Sequence, residues 1–245
     1  MWMENGMVIG KFCKFRETSD FIKFSQFLYF FLWNNRKSCA TMKNDMLGFK
    51  RGERKTIMRV GFDNEKYLQM QSEHIEERIN KFGDKLYLEF GGKLFDDFHA
   101  SRVLPGFEPD SKLRMLMKLA DRAEIVIVIN AADIEKNKVR GDLGITYDVD
   151  VQRLMKEFES RGLYVGSVVL THYTGQAAAD AFKAKLEKKG VRVYLHYIIE
   201  GYPSNINKIV SDEGFGKNEY IETTRPLVVV TAPGPGSGKM ATCLS

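Results

Sequence analysis

Val165-Gly166-Ser167-Val168-Val169-Leu170, the stretch 175–189, Gly190 and Val191-Arg192-Val193-Tyr194-Leu195-His196-Tyr197 follow one another almost without a gap, and their reading decides the fold class. The two ends are short runs rich in β-branched residues, the length of buried strands, which need not alternate polar and apolar side chains. Between them a helix is expected, with Ala177, Ala178, Phe182 and Leu186 on its apolar stripe and Lys183, Lys185, Lys188 and Lys189 in water. Gly190 is placed to end it, because glycine enters the left-handed conformation at little cost. Two strands joined by such a helix need a crossover and therefore run parallel.

Outward from this unit the alternation repeats. Residues 86–90, 125–129 and 227–230 read as further strands, and 64–82, 111–122 and 149–161 as helices. The expected fold is α/β: a mostly parallel sheet with helices on both faces, Rossmann-like in its winding. Ligands of such sheets bind at the carboxyl ends of the strands, where loops converge.

Composition narrows the class. With 44% apolar and 28% charged residues in 245, the chain has material for a buried core, which excludes disorder and collagen-like repetition. Cys13, Cys39 and Cys243 are too few and too scattered for a disulfide framework or a metal site, so a reducing, cytoplasmic setting is expected. No apolar run has the length of a membrane span.

The net charge of +5 is unevenly spread. Residues 1–57 hold 11 Lys+Arg against 5 Asp+Glu, leaving 26 basic against 27 acidic residues in the remainder. A nucleic-acid partner is therefore not indicated for the folded part. The same 57 residues contain both tryptophans and 8 of the 17 phenylalanines, with no regular period. A targeting segment is one explanation, but its polar lead-in is long and no small-residue cleavage site follows. The other is a start assigned too far upstream: Lys50-Arg51-Gly52-Glu53-Arg54 back-translates to a ribosome-binding sequence ahead of Met58. Residues 1–57 are accordingly expected to be a dispensable leader, and 58–245 an α/β domain.

The strongest chemical signal lies in 226–245. Leu227-Val228-Val229-Val230-Thr231 runs into Ala232-Pro233-Gly234-Pro235-Gly236-Ser237-Gly238-Lys239-Met240. A buried strand, a glycine-rich turn, a lysine and a helix start bring main-chain N–H groups and one ammonium around phosphate oxygens. Gly238 and Lys239 fit the phosphate-loop pattern, but Pro233 stands at its first glycine and Met240 at the hydroxyl that would hold magnesium. Gly234, Gly236, Ser237, Gly238, Lys239 and Thr242 are the candidate binding residues, for ATP, another nucleotide or a phosphorylated metabolite. Thr242 lies on a different side of the helix from position 240. The plainer alternative is a tight turn with a solvated lysine.

A second constellation is Glu89-Phe90-Gly91-Gly92-Lys93-Leu94-Phe95-Asp96-Asp97-Phe98-His99-Ala100-Ser101-Arg102. Asp96, Asp97, His99 and Arg102 are candidate catalytic residues, able to bind a metal, place a phosphate or transfer protons. A capped helix with a surface ion pair would use the same residues. In 130–142 the alternating charges read as a solvated face, with Asn130, Lys136 and Arg140 as anion contacts to test. His172, at a strand end, is a candidate ligand contact; His196 is expected in or near the core, and His74 on a polar helix face.

Several of these stretches resemble a known family. Met58-Arg59-Val60-Gly61-Phe62-Asp63-Asn64-Glu65-Lys66-Tyr67, the run from Leu86 to Asp97, Arg102-Val103-Leu104-Pro105-Gly106-Phe107, Asp142-Leu143-Gly144-Ile145-Thr146-Tyr147-Asp148 and the run from Val230 to Thr242 are similar to domain-of-unknown-function family 1846 of bacteria. The resemblance covers Met58 to Ser245 and implies the N-terminal half of a longer protein. It implies that Pro233 and Met240 are the family's own form of the loop, and it carries no reaction with it. A magnesium-binding acid would then be sought in the other half, and this chain alone is expected to bind nucleotide weakly or not at all. Two functions fit: a nucleotide- or phosphometabolite-using enzyme, or a non-catalytic nucleotide-sensing or assembly module. An oligomer is compatible with either.

Overall fold

The computed structural model describes residues 61–83, 85–89, 94, 95 and 98–244, with backbone alone at 98–100. The expected leader lies outside the described residues. In chain order the elements are α1 (Asn64–Lys81), β1 (Leu86–Glu89), α2 (Phe98–Val103), α3 (Ser111–Lys118), β2 (Ala123–Asn130), α4 (Ala131–Glu135), β3 (Val139–Arg140), β4 (Ile145–Thr146), α5 (Tyr147–Glu159), β5 (Tyr164–Tyr173), α6 (Ala177–Glu187), β6 (Arg192–Tyr197), α7 (Ile206–Ile209), β7 (Leu227–Thr231) and α8 (Lys239–Leu244). All five expected strands form.

They make one sheet in the order β1-β7-β2-β5-β6, each neighbouring pair parallel. Every residue of β7 and all of β2 but Asn130 are buried. The centre of the sheet is thus covered on both faces, which is why these runs show no alternation. Each fully buried aliphatic side chain there, such as Ile125, Ile127 or Val229, contributes about 1.5–3 kcal/mol of burial free energy.

β7, the last strand in the chain, lies between β1 and β2. To reach that place the chain first runs back along the outer edge of β6. There Glu219 N donates to the Leu195 carbonyl at 3.2 Å, and Leu195 N and Tyr197 N donate to the side chains of Glu219 and Asn218. An edge strand is thereby capped instead of left open. Buried Glu124 then accepts from Thr224 N at 2.7 Å and Arg225 N at 3.2 Å, turning the chain into β7.

Element boundaries differ from expectation in two useful places. In α6 the buried stripe is Ala179, Phe182 and Leu186, whereas Ala177 is exposed and Ala178 half-buried. The helix begins only at Ala177, and the first-turn N–H of Ala178 meets the Glu135 carboxylate at 3.1 Å, so the helical spacing passes through Ala179. Gly190 does end the unit, with φ +80°. The small hairpin β3–β4 falls in the region expected to be a solvated face. No described helix is long and apolar enough to cross a membrane.

Candidate functional site

β7 ends at Thr231, and α8 starts at Lys239. The seven residues between them fold over the strand tips. Thr171, at the tip of β5, donates its hydroxyl hydrogen bond to the Ser237 carbonyl at 2.7 Å, and the buried Ser237 hydroxyl donates to the Gly234 carbonyl at 2.7 Å. Gly238 has φ +84°, and a Cβ there would come within 3.2 Å of the Thr171 side chain. A Cβ on Gly234 would lie 2.4 Å from the hydroxyl oxygen of Tyr147. The turn therefore requires glycine at both positions. The carbonyls of Gly234, Ser237 and Gly238 accept hydrogen bonds, but among the described residues the main-chain N–H groups of Gly234, Gly236, Ser237, Gly238 and Lys239 have no protein acceptor.

Lys239 turns back toward β1, where its Nζ lies 3.4 Å from Glu89 Oε1; the two side chains are only 16% and 20% exposed. Glu89 ends β1 in register with Val230 of β7. An acidic partner for the loop lysine therefore stands within this chain. Glu89 carries no role that its sequence neighbours reveal, because its nearness to Lys239 depends on β7 lying beside β1. The available signal was an acid closing an otherwise apolar strand. Beneath the pair sits Cys243, whose thiol is pushed up chiefly by burial and then by Glu89. Thr242 is buried and its hydroxyl donates to the Gly238 carbonyl at 3.1 Å, one turn back in its own helix. Met240 is 48% exposed.

Asp96 and Asp97 lie outside the described residues, as does the His99 side chain; Arg102 is exposed near the end of α2. Phe95, just before Asp96, packs on Phe158 with ring centroids 4.9 Å apart, under the Arg161 guanidinium. Phe158 is at the opposite end of α5 from Tyr147, about 16 Å along the axis at 1.5 Å per residue.

Arg140 is not an available anion contact. Its guanidinium is buried, donating to Asp142 at 2.8 Å and to the fully buried Asp150 at 2.7 Å, while Arg153 donates to the second Asp150 oxygen at 2.8 Å. Its charge is already neutralised. This network ties the β3–β4 hairpin to the first turn of α5. Asn130 caps α4 by accepting from Ala132 N at 2.8 Å, and Lys136 is exposed. His172 is exposed, has φ +53°, and places Nδ1 3.4 Å from the Thr171 hydroxyl. His196 is buried, its Nε2–H directed at the Glu219 carbonyl at 3.2 Å, and burial lowers its pKa to about 4. Among the described residues no group of three or more His, Cys, Asp or Glu side chains is arranged to hold a metal ion.

Comparison with known proteins agrees with the resemblance read from the residues. The chain is 62% identical over 189 residues to a UPF0371 protein of Streptococcus sanguinis and to one of Streptococcus uberis, and 60% identical over the same length to one of Streptococcus pneumoniae. Each match covers 77% of this chain and 38% of the relative, so the chain spans well under half the length of the curated relatives it matches. The profile described as domain of unknown function DUF1846, N-terminal, matches residues 60–245. With three quarters of its length in that match, the chain belongs to the DUF1846 family.

Proposed function

We propose that the 234–239 loop binds the phosphate group of a nucleotide or phosphorylated metabolite. One observation carries this reading: among the described residues, five main-chain amides without protein acceptors lead from the tip of a central parallel strand into the start of a helix that opens with Lys239. Such a concentration of donors is compensated by an anion. In this reading Gly234, Gly236, Ser237, Gly238 and Lys239 supply the donors, and Thr242 holds the helix that carries Lys239. Glu89 neutralises the lysine until the ligand takes its place. Asp96, Asp97 and the His99 side chain lie outside the described residues, and the acid–base roles expected for them and for Arg102 are not part of this reading.

A specific feature favours a second reading, a module that binds nucleotide without turning it over. Met240 is exposed at the position where a magnesium-holding hydroxyl is expected. The two readings separate on the full-length Streptococcus sanguinis relative. An enzyme releases phosphate from ATP in a manner that depends on the lysine matching Lys239. A sensing or assembly module binds ATP with that same dependence and releases none.

A further inference from the structure

Tyr147 opens α5 and is clamped on several sides. Its N–H donates to the Lys138 carbonyl at 3.0 Å, and the Lys138 ammonium, held by Asp133 at 3.0 Å, sits 4.9 Å from the centre of its ring. The hairpin before it is locked to α5 by the Arg140–Asp150 pair. The residue is 7% exposed, yet among the described residues its hydroxyl has no hydrogen-bond partner. That hydroxyl points at Gly234, where even one methyl group would come within 2.4 Å of it. The side chain is fixed in place while its hydroxyl oxygen still reaches solvent beside Gly234, which leaves a positioned donor open to a ligand oxygen.

We propose that the Tyr147 hydroxyl is a ligand contact of the phosphate loop, donating a hydrogen bond to an oxygen of the bound phosphoryl group. The inference rests on the loop reading and deepens it. With methionine at position 240, the loop lacks the usual hydroxyl, and Tyr147 brings one in from α5 on the Gly234 side. Glycine at 234 is what lets the phenol approach. The chemistry recognised is a phosphoryl group presenting anionic oxygens, whether carried by a nucleotide, borne by a small metabolite or free.

Phosphorus NMR titrations of the 245-residue chain with inorganic phosphate and, separately, ATP test this, with Tyr147→Phe and Lys239→Ala alongside. A hydrogen bond to a charged acceptor implies that Tyr147→Phe weakens binding by roughly tenfold or more. The urea-unfolding midpoint should not move, because the hydroxyl has no protein partner to lose. Tighter binding of ATP than of phosphate would assign the phosphoryl group to a nucleotide; equal binding would assign recognition to the phosphoryl group itself. Should Lys239→Ala lose binding while Tyr147→Phe retains it in full, the role of Tyr147 is refuted and the loop reading stands. A drop in the unfolding midpoint with unchanged affinity refutes it as well, by making the hydroxyl structural. No binding of either probe to the unaltered chain and to the full-length Streptococcus sanguinis relative removes the loop reading and this inference together.

Discussion

Gly234 shows how closely the candidate site is fitted at the scale of single residues. An added Cβ would meet the hydroxyl oxygen of Tyr147 at 2.4 Å and its Cζ at 2.7 Å. Both groups sit on anchored backbone, so neither can yield cheaply. Gly234→Ala is expected to cost about 1–3 kcal/mol, the usual range for overpacking. In a Tyr147→Ala background the same change should cost far less, so a double-mutant cycle by urea unfolding reads the contact directly. A Gly234→Ala chain as stable as the original would contradict it. Of this fit the sequence displayed only the glycines and the lysine. Tyr147 and Glu89 reach the loop from α5 and β1, and no local pattern announces a contact across so many residues.

At the scale of elements, each buried strand could be read because a short β-branched run leaves few other options. The order of the strands could not. Strand–helix–strand signals make β5 and β6 neighbours, but nothing local says that β7 returns across the sheet to lie between β1 and β2. The hairpin was missed for a related reason: Lys138, Arg140, Asp142 and Asp150 look solvated in sequence, whereas Arg140 and Asp150 satisfy each other inside the fold. The return segment along β6 carries its own pH dependence. Burial holds His196 at about 4 in the folded chain against an ordinary 6.5. Between those values the unfolded chain binds a proton that the folded chain does not. The stabilisation is therefore complete above pH 6.5 and is lost as the pH falls toward 4. Going from about pH 7 to pH 5 should cost about 2 kcal/mol through this residue. The measurement is the difference in urea-unfolding free energy between the native chain and His196→Gln at the two pH values; equal pH dependence in both would exclude His196 as the source.

For the whole molecule, the unevenness of charge and aromatic content separates residues 1–57 from the rest, and the family match begins at residue 60. A chain starting at Met58 is accordingly expected to keep its thermal midpoint within about 2 °C, the shift that a few tenths of a kcal/mol gives at this size. A larger fall would show that the first 57 residues contribute to folding. The family membership was legible from residues alone because several separate stretches, from Met58 to Thr242, carry the resemblance together. What the loop does rests on its free amides, and these are tested most directly by titrating ATP and inorganic phosphate into the 245-residue chain and the full-length Streptococcus sanguinis relative. Binding is predicted in both, on the order of millimolar for the shorter protein, and at least about tenfold weaker when Lys239, or the lysine matching it, is replaced by alanine. Absence of binding in both proteins, or binding indifferent to that replacement, would contradict the proposed phosphate site.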